Sequence, residues 1–322
     1  MVSAPRALPQ LDGSLFLMDG GMETALIFLE GVDLPNFAAF PLLLEEEGRR
    51  RLQSYFEPFI KTALNRKVGF VLDTPTWRSN ADWGAKLGYS EKQLADVNCR
   101  AVAWAIDLRA RFATSTTPIV VNGVVGPRGD GYRIDTKMTA EEARAYHNPQ
   151  VATFREARAE MVSAITMNYV EEAIGIAMAA QANDIAAVIS FTVETDGRLA
   201  SGDTLETAIE TVDRATGATP AYYMVNCAHP THFDNVLSSG AGWTDRVRGL
   251  RANASGKSHA ELDVATELDA GDPQELAQQY RELRRRLPHL SVFGGCCGTD
   301  HRHIVAICDQ MLRMTDSRSG QN

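Results

Sequence analysis

Three cysteines are placed to do chemistry: Cys227, within Met224-Val225-Asn226-Cys227-Ala228-His229, and the adjacent pair in Gly294-Gly295-Cys296-Cys297-Gly298-Thr299. Each set follows a short apolar run and precedes a helix-start signal, which puts both at strand ends. Three thiolates converging from two distant strand ends can hold a zinc ion with its fourth position open, the layout of a catalytic rather than a structural zinc. Such a centre suits the activation of a thiol. Structural zinc sites usually separate paired cysteines by a few residues so that a tight turn wraps the metal, and a vicinal pair does not fit that template. Gly294, Gly295 and Gly298 would let the backbone turn sharply enough to aim both sulfurs at one point. Three other readings stay open at this stage: a vicinal redox disulfide, unremarkable buried thiols, and His229 in place of one ligand.

A second candidate is Met18-Asp19-Gly20-Gly21-Met22-Glu23, directly after the first apolar run. An acid at a strand end followed by two glycines can fix a polar group of a substrate while backbone amides approach closely, although Asp-Gly-Gly is also a common turn. Gly123-Val124-Val125-Gly126-Pro127 and Gly175 read as structural turns. Phosphate-binding glycine loops, the dinucleotide fingerprint and the Gly-x-Ser-x-Gly elbow do not occur in their required contexts.

The elements that must position these residues alternate along the chain. Short apolar runs rich in Val, Ile and Phe predict strands at Leu15–Met18, Gly69–Asp73, Ile119–Val125, Ala187–Thr192, Ala221–Asn226 and Leu290–Phe293. Weaker strands are expected near Val247–Arg251 and Met161–Thr166. Ser90 with Gln93, and Thr139 with Glu142, form capping boxes at helix starts. Asp272-Pro273-x-Glu275 supplies a cap, a first-turn proline and an acid, and Asp300 caps the helix after the cysteine pair. Gly129–Lys137 and Gly240–Ser258 read as polar loops. Strand–helix alternation predicts an α/β protein: one (β/α)8 barrel over residues 1–314, with a disordered tail at 315–322. In that fold the C-terminal strand ends carry the chemistry, with Cys227 after the sixth strand and Cys296-Cys297 after the eighth.

A net charge of -9 argues against nucleic-acid and anionic-membrane partners, which need a basic face. Residues Met1–Gln10 lack the apolar core of a signal peptide, and no apolar run approaches the ~18 residues needed to span a bilayer. A cytoplasmic location is expected, in which five cysteines are metal ligands, reactive thiols or core residues rather than a disulfide framework. Cys99 and Cys308 are expected in the core, and His301 and His303 as polar residues of a first helical turn. Homo-oligomerisation is left open.

Asp19-Gly20-Gly21, Asn226-Cys227 and Gly294-Gly295-Cys296-Cys297-Gly298 together resemble the homocysteine S-methyltransferase family, from about Leu15 to Met311. Thr74-x-Thr76, Gly123-x-x-Gly126-Pro127 and Ser190-Phe191-Thr192 with Asp196-Gly197 agree with it. The resemblance implies a (β/α)8 barrel holding zinc through Cys227, Cys296 and Cys297. It also implies that Asp19, with Gly20 and Gly21, helps bind the acceptor; Glu23, Thr76, Asn226 and Gly295 are expected as further substrate-binding residues. The implied reaction transfers a methyl group from a sulfonium such as S-methylmethionine to homocysteine, giving methionine. Its partners are then a small-molecule thiol acceptor and a methyl donor.

Two departures stand out. The family's acid at the end of the fourth strand, which engages the acceptor's amino group, is replaced by Ile165, so Glu23, Glu160 or Glu194 must compensate or the acceptor is another thiol. Where betaine-using members surround a quaternary ammonium with rings, this chain offers Phe37 and Trp77 but also Arg78 and Thr166. A guanidinium there disfavours betaine. A redox dithiol, or a zinc-binding protein without methyl transfer, is the reading from another class.

Overall fold

The computed structural model describes residues 8–237 and 241–319, with the side chains of 315–319 excepted. Eight parallel strands close into a barrel in sequence order: β1 Phe16–Leu17, β2 Gly69–Asp73, β3 Ile119–Val125, β4 Met161–Met167, β5 Ala186–Phe191, β6 Tyr222–Asn226, β7 Val247–Ala252 and β8 Val292–Gly295. Closure is made by Phe16 against Val292 and Leu17 against Phe293. Nearly every strand residue is buried, as parallel strands covered on both faces require.

The helices are α1 Met22–Phe28, α2 Glu46–Arg66, α3 Ala81–Lys86, α4 Glu91–Phe112, α5 Ala140–Glu156, α6 Val170–Ala182, α7 Leu205–Thr216, α8 Pro230–Leu237, α9 His259–Asp263, α10 Pro273–Arg286 and α11 His301–Ser319. Their starts follow the sequence signals. Ser90 and Thr139 make reciprocal capping boxes at α4 and α5. Asp272 accepts from the Gln274 and Glu275 amides at α10, and Asp300 from the Arg302 amide at α11. Helix α11 carries the chain to Ser319, into the segment expected as a tail, and residues 320–322 lie outside the described residues.

Two apolar layers hold the fold. One packs the outer strand faces against the helices, with Phe40, Phe56, Phe154, Phe191 and Phe293 fully buried. The other fills the barrel interior with Phe16, Met18, Val71, Met161, Val188, Tyr222 and Val292. Gln10, on the turn Pro9–Leu11, donates to Met161 Sδ and Tyr222 Oη within this inner layer.

Several expectations change. Gly123 lies within β3 against the Phe154 ring, and Gly175 lies inside α6, where a Cβ would meet Ala143 Cβ at 2.4 Å. Both are close-packing positions rather than turns. Cys99 is exposed on α4, whereas Cys308 is buried. His303 sits on the first turn of α11 as expected and is buried there, with Nε2 at 2.8 Å from the Ala270 carbonyl. The loop expected over Gly240–Ser258 contains a short 3-10 turn, Gly242–Arg246, while the weaker strand expected near Val247–Arg251 is present as β7; residues 238–240 lie outside the described residues.

Candidate metal centre

The sulfurs of Cys227, Cys296 and Cys297 lie within 4.8 Å of one another at the C-terminal mouth of the barrel. Zinc–thiolate bonds of about 2.3 Å in a tetrahedral shell separate sulfurs by a little under 4 Å, so the donor set fits a thiophilic ion after small adjustments. Cys227 and Cys296 are joined as a disulfide with Cα atoms 5.3 Å apart, so the bond spans two strand ends and is not the vicinal one. Cys297 remains free. His229 is not among the converging donors; its Nδ1 is bonded to Thr231 at 2.8 Å.

The backbone explains the convergence. Cys227 follows β6 in the left-handed region at φ 53°, and its amide donates to the Arg251 carbonyl at 3.1 Å. Its own carbonyl accepts from Asn253 Nδ2 at 3.0 Å and from His259 Nε2. His259 bridges on to Glu194 Oε1 at 2.9 Å, and Tyr132 stacks on its ring at 4.1 Å. On the other side, the Cys296 amide donates to the Ala252 carbonyl at 2.8 Å. A Cβ on Gly21 would lie 2.5 Å from the Cys296 carbonyl oxygen, and one on Gly295 2.1 Å from Thr299 Oγ1. Gly21 therefore lets the loops after β1 and β8 touch through their backbones, and Gly295 lets the segment after β8 fold back on its own strand end.

A buried charge network lies beneath. Arg251, at the end of β7, donates through Nη2 to Asp19 Oδ1 at 2.7 Å, through Nη1 to Asp73 Oδ2, and through Nε to the Gly295 carbonyl at 3.1 Å. Tyr55 donates to the other Asp19 oxygen at 3.1 Å, and Asn122 donates to Asp73 at 2.7 Å. Burial pushes Asp19 up to about 7 against the pull of Arg251, with Asp73 adding repulsion. Burial alone would lower Arg251, but Asp19 and Asp73 hold it well above its ordinary value. Burial likewise raises the Cys297 thiol to about 11, with Glu23 adding to the shift, while the Tyr132 hydroxyl opposes it. A thiol so placed stays protonated unless a cation binds it.

The residues expected to meet substrate are all brought to this end of the barrel, by different routes. Asp19 is engaged by Arg251 and Tyr55. Thr76 Oγ1 donates to the Val124 carbonyl at 2.7 Å. Asn226 ties three strands together, accepting from the Thr166 amide and Ser190 Oγ and donating to Thr166 Oγ1. Gly20 lies against the Thr299 carbonyl. Glu23 sits on the first turn of α1 and interacts electrostatically with Arg251, Arg78 and Cys297. Ile165 packs into the inner apolar layer where β4 breaks register, with Thr166 at φ 67°. Of the acids that might compensate, Glu160 is held by Arg109 at 2.7 Å and the Val121 amide, before β4 begins, and Glu194 is held by His259. Phe37 is 44% exposed on a turn.

Sequence reasoning missed Arg251, Asp73, Tyr132 and His259. The first two are charged residues at C-terminal ends of barrel strands, a position that itself signals function. Tyr132 and His259 lie in or beside stretches read as polar loops.

The homocysteine S-methyltransferase family profile matches residues 16–311. No curated protein matches the chain. Among solved structures, the homocysteine methyltransferase MmuM from Escherichia coli in its oxidised form superposes with a TM-score of 0.75 at 21% identity, covering 96% of this chain and 99% of that one. Its metallated form gives 0.70 at 19% identity, covering 92% and 96%, and its apo form 0.61 at 18% with the same coverage. With the profile spanning the whole barrel and all three cysteines converging at its mouth, the chain belongs to the homocysteine S-methyltransferase family.

Proposed function

We propose that this protein is a zinc-dependent enzyme that moves a methyl group from a sulfonium donor of the S-methylmethionine type to the thiol of homocysteine, giving methionine. The observation that carries the reading is the convergence of Cys227, Cys296 and Cys297 within 4.8 Å at the barrel mouth. Once the Cys227–Cys296 disulfide is reduced, these three residues would hold the ion. Zinc bound by three thiolates lowers the pKa of a fourth, incoming thiol, which free in water is about 8.5.

The chain's own residues supply position. His259 and Asn253 fix the Cys227 carbonyl and hence the direction of its side chain. Contact of the Gly20-Gly21 backbone with Cys296 and Thr299 fixes the other two. In the transfer, the acceptor thiol loses its proton to solvent and its sulfur forms the new S–CH3 bond. The S–CH3 bond of the donor breaks with its electron pair, leaving a neutral thioether. No acid is needed for that leaving group, so rate enhancement rests on thiolate formation and alignment. A cytoplasmic setting, which keeps thiols reduced, suits this chemistry.

The test is methionine formation from homocysteine and S-methylmethionine by reduced, zinc-loaded protein. Turnover that disappears on chelation and returns with zinc supports the reading. Full zinc loading without turnover on homocysteine with any sulfonium donor overturns it.

A further inference from the structure

The family pattern holds the acceptor's ammonium with an acid at the end of the fourth strand, and here Ile165 occupies that place. Asp19, the other acid implied for the acceptor, is already paired with Arg251 and bonded by Tyr55. The amino-acid subsite of this chain must therefore be built differently.

Two charged groups near the cysteines have no ion-pair partner within 4 Å among the described residues: Glu23 and Arg78. Glu23 stands two residues beyond Gly21, whose backbone touches Cys296. Arg78 is only 6% exposed, with its guanidinium clamped between the Trp77 and Trp83 rings at 3.9 and 3.7 Å. Nη1 donates to the Gly129 carbonyl at 3.1 Å, while Nε is buried without a partner. A buried guanidinium with an unused donor and no carboxylate in contact is costly unless a ligand completes it.

The clamp belongs to the same wall as the metal centre. Trp77 Nε1 donates to the Ile165 carbonyl at 3.3 Å, and a Cβ on Gly131 would lie 3.5 Å from Trp77 and 2.8 Å from Thr166. The next residue, Tyr132, stacks on His259, which holds the Cys227 carbonyl. Glu23 and Arg78 act on each other electrostatically without touching. An acid and a planar guanidinium that are not paired with each other are the two groups that the ammonium and carboxylate of a free α-amino acid would take.

We propose that Glu23 and Arg78 are the specificity-determining pair of this site, Glu23 taking the ammonium that Ile165 cannot and Arg78 taking the carboxylate of a zwitterionic amino-acid substrate. The inference deepens the proposed function and rests on it for the identity of that substrate, which is acceptor or donor.

The experiment compares homocysteine with 4-mercaptobutanoate, which lacks the ammonium, and 3-aminopropane-1-thiol, which lacks the carboxylate, in the wild type, Arg78→Met, Arg78→Lys and Glu23→Gln. A buried charge-assisted hydrogen bond left unpaired costs roughly 100-fold in kcat/KM. Wild type should show that penalty for each truncated acceptor. Arg78→Met should lose only the carboxylate penalty, Glu23→Gln only the ammonium penalty, and Arg78→Lys should restore part of the first. If the acceptor penalties stay fixed but the same collapse appears with truncated sulfonium donors, the pair reads the donor. A merely structural role for Arg78 would lower rates without moving these ratios, and unchanged ratios in both arms would overturn the proposal. If homocysteine is not methylated at all, calorimetric binding of methionine still decides: at least tenfold weaker binding in both Arg78→Met and Glu23→Gln supports the pair, and equal binding rejects it.

Discussion

Replacing Arg251 with methionine tests whether the charge network under the cysteines holds the barrel mouth together. Arg251 is 7% exposed and joins four segments: Asp19 after β1, Asp73 at the end of β2, Gly295 at the end of β8, and its own β7. Methionine fills similar space but leaves two buried carboxylates facing each other without a cation. Breaking a buried pair in this way costs about 3–5 kcal/mol. An unfolding entropy of about 2.1 cal/mol/K per residue over 322 residues gives roughly 0.7 kcal/mol/K, so the expected loss in Tm is about 4–7 °C. The assay is calorimetric melting of reduced wild type, Arg251→Met, Asp73→Asn and the double variant. Because Asp73→Asn removes one of the stranded charges, Arg251→Met should cost clearly less in that background. A Tm loss under about 1 °C, or strictly additive losses, would refute the ionic account of this network.

Three further outcomes follow from the same geometry. His259→Ala removes a donor to the Cys227 carbonyl and the ring beneath Tyr132; zinc affinity, measured by competition with a chelator, should fall about 10–100-fold with the ligands intact. Gly21→Ala forces a methyl toward the Cys296 carbonyl at 2.5 Å, so zinc content should drop, whereas Gly129→Ala, with open space around its Cβ, should retain it. Although burial works against ionisation, hydrogen bonds from His303 and Arg302 hold the Asp300 carboxyl well below its ordinary 3.8. That contribution is present above the ordinary carboxylate value of 3.8 and is lost as pH falls below it. The Tm gap between wild type and Asp300→Asn should therefore narrow as pH falls below about 4.

The fold was legible wherever a strand was mostly apolar and sharply bounded. β2 and β3 match their expected limits because each is a buried, mainly Val, Ile, Leu or Phe run, interrupted in β3 by Asn122 and Gly123 and closed by Asp73-Thr74-Pro75 or Gly126-Pro127. β8 shifted toward its C-terminus because Gly294 and Gly295 continue the ladder, where close approach to Met18 and Thr299 excludes side chains. The cysteines were legible because vicinal thiols between glycines are a rare pattern with few physical uses. Arg251 was not, since its partners lie 178 and 232 residues away and no local spacing reveals them. Arg78 was noticed only as a repulsive charge; the tryptophan clamp that gives it another use depends on α3 folding Trp83 back over it.

The central claim is that Cys227, Cys296 and Cys297 together hold one zinc ion. The most direct measurement is zinc per chain in reduced protein, wild type against Cys296→Ala, with thiols counted before and after chelation. The account predicts about one zinc in the wild type, three thiols unmasked when it is removed, and loss of the metal in the variant. Full zinc occupancy in Cys296→Ala, or a reduced wild type that takes up no zinc, would contradict it.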